Sequence, residues 1–374
     1  LNDSVRIAVV LPGLHRVNRG AETAFESIGR EIAQRTGWRV TLFGSGNARS
    51  GEPYEFIHVP CTPRERFERW LRIPVFRSPE AWEEWTFLCQ LRERYDPTAF
   101  DAVLTCSYPF CNWFFQRKRK GLLPVQVYVT QNGDWPCFRQ NSEYRWFNCD
   151  HLVCTNPDFF DRHRKSFPST LIPNGVDPTV FCESGQRNRS AFNLPLDQPV
   201  GLVVSALIPS KRVVEAVEAA SKVDNLFMVV AGDGPLRATL EARANELMPN
   251  RFRRISVPRA QMPELYRCAD LLLHMSMDEP SANAYMEAMA TGLPIVTHRR
   301  RVTEWTLGST AYLTDASDTT LVAAALRKAI SECAPIKRKA RIQRVQEQFT
   351  WSMIAQQYCD VIRTAVSRRE AFAR

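Results

Sequence analysis

The sequence predicts an α/β chain built as two doubly wound, parallel-sheet domains, and three observations predict it. Short apolar runs alternate with stretches of helical periodicity along most of the chain, as parallel strands and their crossover helices do. The chain has 374 residues, beyond the size at which a single hydrophobic core keeps growing. The alternation is interrupted once, over residues 183–199, where Gly, Asn, Ser, Arg and Pro replace the apolar runs, and it then starts again.

Residues 5–11 (VRIAVVL), closed by Pro12 and Gly13, read as the first strand, buried on both faces. Residues 40–43, 56–59, 102–105, 125–130 and 152–154 read likewise, with helical patterns between several of them. After the interruption come strands at 201–205, 226–231, 254–257, 271–275 and 295–297. The boundary falls near residue 185, giving domains at 1–184 and 185–350. A last helix over about 352–368, with apolar Ile354, Tyr358 and Ile362, follows Trp351, and residues 351–374 form a third segment.

The hydrophobic fraction of 44% and charged fraction of 24% are those of a globular protein and exclude disorder. No apolar run approaches the ~20 residues of a spanning helix, and the chain opens LNDSVRIAVVLPG with no basic stretch ahead of an apolar one. A soluble or at most peripheral protein is expected. Eleven scattered cysteines without a C-x-x-C pair argue against a disulfide framework and against a zinc site, and fit a reducing cytoplasm. The formal charge of +9 favours an anionic partner: nucleotide phosphates, an anionic leaflet or nucleic acid. Charge does not choose among them, but no nucleic-acid module is present, so nucleic acid is not expected.

Residues 278–296, DEPSANAYMEAMATGLPIV, carry the most chemistry. They place Glu279 and Glu287 eight positions apart, between a buried strand and a helix closed by Gly292 and Pro294. Acidic residues are favoured near a helix start by its dipole, so the pair needs no function to exist. A strand, polar loop and helix in this order also bring backbone N–H groups to the carboxyl edge of a sheet, where a phosphate is welcome.

The E-x7-E pair followed by EAMATGLPIV resembles the retaining glycosyltransferases of family 4, the group 1 glycosyl transferases of GT-B fold. The resemblance extends to Asn174 and Asp177 in NGVD, Phe181, Lys211 in SALIPSKR, GDGP at 232–235, MPELYRCAD at 262–270, Glu304, and Trp351 in FTWSMIAQQY. It covers most of the chain after Asn174. It implies two Rossmann-like domains facing across a cleft, the first binding the acceptor and the second the nucleotide sugar. The terminal helix would cross back onto the first domain. The reaction implied moves a sugar from a nucleotide-diphosphate donor to a hydroxyl acceptor that is a glycan, lipid-linked or small.

Carried over residue by residue, the resemblance makes Glu279 and Lys211 the catalytic pair. Lys211 contacts the leaving diphosphate and Glu279 attends the transferred sugar. Glu287 accepts hydrogen bonds from the ribose hydroxyls, a task suited to an ionised carboxylate. The backbone amides of Asn283 and Ala284 meet the diphosphate at the helix start. Ser281 and Ala282 stand where the family often has Phe-Gly, which implies an altered sugar pocket. Val257 and Arg259 lie beside the nucleobase. In the first domain Gly20 opens the loop after strand one, and Asn132 occupies the place of a family histidine. An amide there is no base, which suits a retaining enzyme.

Ala206 replaces an arginine that in the family joins the lysine on the diphosphate. Arg212 is one substitute. The run His298, Arg299, Arg300 and Arg301, where the family has two glycines, supplies others able to grip an oxyanion with two bonds. With no D-x-D triplet and six dispersed histidines, no metal and no cofactor is expected.

Residues 64–95 mix arginine with Phe67, Trp70, Trp82 and Trp85, and residues 117–120 (RKRK) follow Trp113, Phe114 and Phe115. Such mixtures suit peripheral contact with the inner face of a membrane and equally a packed helix with a charged outer face. The rival readings are a catalytically silent carbohydrate- or membrane-binding scaffold, and a nucleotide-sugar epimerase or phosphorylase of the same fold.

Overall fold

The computed structural model describes residues 4–68, 70, 72–116, 124–138, 142–279, 281–332 and 335–373. It contains two compact units, one of residues 1–174 and 351–374, the other of residues 175–350.

The first unit runs β1 (Arg6–Val10), α1 (Gly20–Thr36), β2 (Arg39–Gly44), β3 (Glu55–His58), α2 (Pro79–Arg94), β4 (Ala102–Thr105), α3 (Phe110–Phe115), β5 (Val125–Val129), β6 (His151–Cys154), α4 (Pro157–His163) and β7 (Ser169–Leu171). Its strands form one parallel sheet in the order β3-β2-β1-β4-β5-β6-β7. Alternation along β1 assigns the two faces. Ile7 and Val9 enter the layer shared with α1, while Ala8 and Val10 enter the layer shared with α2 and α3.

The second unit runs β8 (Val200–Val204), α5 (Val213–Ser221), β9 (Phe227–Ala231), α6 (Arg237–Leu247), β10 (Phe252–Ile255), α7 (Met262–Cys268), β11 (Leu271–His274), α8 (Asn283–Ala290), β12 (Ile295–His298), α9 (Arg301–Leu307), β13 (Tyr312–Thr314), α10 (Thr319–Ser331) and α11 (Pro335–Gln348). Its parallel sheet has the order β10-β9-β8-β11-β12-β13. In each sheet the chain builds outward on one side of its first strand and returns to build on the other. The order therefore reverses between β1 and β4 and between β8 and β11, the point in such sheets where ligands are bound beyond the carboxyl ends of the strands.

The last helix, α12 (Trp351–Ala373), belongs to the first unit. Trp351, Ile354, Ala355, Tyr358, Cys359, Val361, Ile362 and Ala365 are buried in the layer that also holds Phe25, Ile28 and Ile32 of α1. Their spacing is that of one helical face.

The units divide after Asn174, ten residues before the sequence boundary of 184. The reason is local. The Val176 amide donates to Phe349 O at 2.8 Å and Phe181 is buried in the second unit's core, so the chain has already joined that unit when the Gly- and Pro-rich stretch begins. The other strands lie within two residues of their expected limits, while β7 and β13 were not expected.

Candidate functional site

The loops after β8 and β9 are laid against each other by backbone hydrogen bonds. Ser205 N donates to Ala231 O at 3.2 Å, Leu207 N to Asp233 O at 3.0 Å, and Leu236 N to Leu207 O at 3.0 Å. Only glycine permits this approach at two places. A Cβ on Gly232 would overlap the Ser205 carbonyl, and one on Gly234, whose φ is 156°, would stand 2.7 Å from Leu207 O. The zipped loops seat a single turn of helix, Pro209–Lys211, beyond the carboxyl end of β8. Arg212 then takes the left-handed conformation, with φ 50°, and turns the chain into α5.

Lys211 is ion-paired with Glu279 Oε2, and the two come from the loops after β8 and β11, the strands between which the sheet order reverses. Arg212 joins the same loops by directing Nη1 to Met277 Sδ at 3.3 Å. Arg300 donates to Met277 O at 3.1 Å and to Asp278 Oδ1 at 2.7 Å, so it braces the turn that delivers Glu279. Arg299 instead pairs with Glu304 at 3.1 Å. Ala206, at the place of the family arginine, is exposed.

Behind Glu279 lies a polar group enclosed by core. His274, at the end of β11, is the cross-strand partner of Thr297 on β12. Tyr285 of α8 reaches over both, its hydroxyl 3.2 Å from His274 Nδ1 and 2.8 Å from Thr297 Oγ1. His274 Nε2 is 3.7 Å from Glu279 Oε2. Burial pulls the His274 imidazole down to about 4, opposed by Glu279 and assisted by Lys211, so the ring is neutral at physiological pH. Burial likewise pushes the Tyr285 phenol up, and it stays protonated.

Glu287, the second carboxylate, is 4% exposed in the middle of α8. Arg259 Nη1 lies 2.6 Å from its Oε1, and the Tyr266 hydroxyl donates to its Oε2 at 2.7 Å. The Arg259 guanidinium rests 5.0 Å above the Phe181 ring, a cation–π contact that fixes its plane. Burial raises Tyr266 far above the ordinary phenol range, so it remains a donor. Between the two carboxylates, α8 begins at Asn283 with Ala282 as N-cap, a residue with no side-chain oxygen to cover the first amides. Ser281 is partly exposed and Ala284 buried, and Val257 is partly buried in the loop that carries Arg259.

Gly20 and Asn132 belong to the first unit. Gly20 opens α1, and Asn132 follows β5 with Nδ2 3.7 Å from Cys106 Sγ. Next to Gly20 the structure shows what sequence reading left out, a buried carboxylate held by arginines. Glu83 is 1% exposed and bound by Arg16 and Arg64, the latter at 2.8 Å, with Arg19 at 3.9 Å.

The sequence also missed His274, Tyr285, Thr297 and Tyr266. A histidine ending the apolar run LLLH was their one signal, because a polar residue at the carboxyl end of a buried strand points to a sheet's functional edge. Of the aromatic–basic segments, Trp70 and Trp85 are exposed by 54% and 41%, while residues 117–120 lie outside the described residues. Among the described residues no helix is long and apolar enough to cross a membrane, and no three His, Cys, Asp or Glu side chains group as a metal site.

Comparison with known proteins gives two family matches, to Glycosyltransferase Family 4 over residues 18–180 and to Glycosyl transferases group 1 over residues 185–348. A curated relative, the lipopolysaccharide core biosynthesis glycosyltransferase LpsD of Rhizobium meliloti, is 23% identical over 245 residues, 64% of this chain and 70% of that one. Others are matched over less of their length, down to 31% for the D-inositol 3-phosphate glycosyltransferase of Mycolicibacterium smegmatis. Among solved structures, sucrose-phosphate synthase from Thermosynechococcus elongatus superposes with a TM-score of 0.79 at 18% identity, covering 97% of this chain and 100% of its own. Anabaena HepE in complex with UDP-glucose superposes at 0.74 with 14% identity, covering 96% and 100%.

Proposed function

Because the chain belongs to the family 4 glycosyltransferases of GT-B fold, we propose that it moves a sugar from a nucleotide diphosphate to a hydroxyl acceptor with retention of configuration. One observation carries this reading: Lys211–Glu279 and Arg259–Glu287 flank the start of α8, where the order of the second sheet reverses. The ammonium of Lys211 has three donors, so one bond to Glu279 leaves two for the oxygens of a leaving diphosphate. Glu279 then sits where positive charge grows on the sugar. Glu287, already aligned by Arg259 and Tyr266, keeps lone pairs for ribose hydroxyls. The first amides of α8 add N–H donors for the diphosphate.

HepE is solved with UDP-glucose, which favours a UDP sugar as the first donor to try. LpsD is named for lipopolysaccharide core biosynthesis, which favours a glycan or lipid-anchored acceptor. The exposed Trp70 and Trp85 support peripheral contact with the inner face of a membrane by a cytoplasmic enzyme. The cations around the diphosphate do the work of a divalent ion in this reading, so turnover survives chelation by EDTA.

A thermal-shift panel of UDP, GDP, ADP and their sugars tests the proposal. A ligand at 100 times its Kd adds about 2.7 kcal/mol to stability. One nucleotide class is expected to raise the melting temperature, and its sugar to be transferred or slowly hydrolysed. A shift without turnover would favour the silent scaffold, and no shift with any nucleotide would remove the donor reading.

A further inference from the structure

We propose that Thr297, Tyr285 and His274 form a buried hydrogen-bond relay that presents a neutral imidazole N–H to Glu279 and so aims its carboxylate within the donor site. This rests on the functional reading above, and it assigns positioning roles to three residues that touch no substrate.

Proton count sets the direction of the relay. The His274 ring, 5% exposed, carries a single proton, and the Tyr285 hydroxyl carries another. Two arrangements satisfy the 3.2 Å and 2.8 Å contacts of that hydroxyl and also give its own buried proton an acceptor. In one, Tyr285 donates to Thr297, His274 donates from Nδ1 to the phenol oxygen, and the lone pair of Nε2 faces the Glu279 carboxylate. In the other, Thr297 donates to Tyr285, Tyr285 donates to Nδ1, and the ring proton sits on Nε2 facing Glu279. The first sets a lone pair against an anion inside the core, and the second sets a donor against it. The second is therefore favoured.

The geometry also explains why the relay is stiff. His274 and Thr297 are fixed by the parallel pairing of β11 with β12, and Tyr285 is fixed by α8, its ring centroid 5.0 Å from that of His274. Nε2 stands 3.7 Å from Glu279 Oε2, the oxygen that Lys211 also holds. Lys211 thus bonds that oxygen directly, while His274 faces it from just beyond hydrogen-bond length and acts on it electrostatically. The relay is fixed independently of the lysine, so the Nε2–H still faces Glu279 when the other donors of Lys211 meet a diphosphate.

The test reads the nitrogen spectrum of protein labelled with 15N-histidine. His274 is assigned by the signal lost in His274→Leu. The expected spectrum shows a protonated Nε2 and an unprotonated Nδ1, unchanged from pH 8 to pH 5.5, and Tyr285→Phe, which removes only a hydroxyl, brings in the second tautomer. A protonated Nδ1 in the wild type, or titration at an ordinary midpoint near ~6.5, would overturn the relay. With UDP-glucose as donor probe, Tyr285→Phe is expected to lower kcat at least fivefold while KM stays within twofold. An equal loss in kcat/KM carried wholly by KM would also overturn it. Should no nucleotide sugar be turned over, the functional reading falls while the nitrogen spectrum still decides the relay.

Discussion

Glu287 is met on both oxygens before any ribose arrives, by the Arg259 guanidinium and by the Tyr266 hydroxyl. Its charge is what both donors answer, so Glu287→Gln, which keeps the shape and removes the charge, is expected to weaken UDP binding at least tenfold, about 1.4 kcal/mol, by calorimetric titration. Arg259→Ala should weaken it less, since Tyr266 still orients the carboxylate and the Arg259 side chain is 41% exposed. The sequence singles out Glu279, Glu287, Lys211 and Arg259 because each stands in a motif or at a strand's carboxyl end. It does not say which faces which. Lys211 meets Glu279 and Arg259 meets Glu287 only because the sheet order brings loops from β8, β10 and β11 together, and no local spacing encodes that order. His274 and Thr297 were hidden differently. Each ends a short apolar run that reads as core, and only strand pairing makes them neighbours.

At the scale of elements, the loops after β8 and β9 depend on two residues without side chains. Gly232→Ala must push the Ser205 carbonyl away, and Ser205 opens the loop that ends at Lys211. A loss of about 1–3 kcal/mol, typical of overpacking, is expected together with weakened nucleotide binding, both read from urea unfolding with and without UDP. The helix α12 offers a contrasting case. Ile362 is fully buried against the first unit, so Ile362→Ala should cost about 2–5 kcal/mol. Hydrogen exchange should place that loss in peptides of β5 and leave those of β11 unchanged. The apolar face of α12 is visible in the spacing of Ile354, Tyr358 and Ile362, but its partner α1 lies at the other end of the chain. Strands such as β1 and β9 were legible because both faces are buried and, after Arg6 in β1, their sequences are continuously apolar. The three-residue strands β7 and β13 were not, since Ser169, Thr170 and Thr314 are only partly buried and give no apolar run.

Taken over the whole molecule, buried titratable groups give the two units different responses to pH. In the second unit, burial holds His274 near 4, against ~6.5 when unfolded, so between those values the unfolded chain binds the extra proton and stability rises with pH. Acidification to pH 5 therefore costs this unit about 2 kcal/mol. In the first unit His151, also pulled down to about 4 by burial, pushes the same way, as does the smaller lowering of His15. Glu84 opposes them. Its carboxyl is fully buried where the Cys111 amide donates to it at 2.7 Å, and burial raises it to about 8. The folded unit thus keeps a proton that the unfolded chain releases above ~4.5, and Glu84 weakens the fold as pH rises through that range. Glu22, raised by burial, adds to this side. The terms offset one another between pH 5 and 6.5. Above 6.5 the unfolded histidines lose the rest of their protons and Glu84 dominates, costing about 1.5 kcal/mol by pH 8. Urea unfolding at each pH, followed by hydrogen exchange in β5 and β11, should show the second unit gaining stability from pH 5 to 6.5 and then levelling. The first unit should stay level over that interval and decline toward pH 8. Glu84→Gln, neutral at every pH, should abolish the decline; its persistence in that variant would mean that another group of the first unit is responsible.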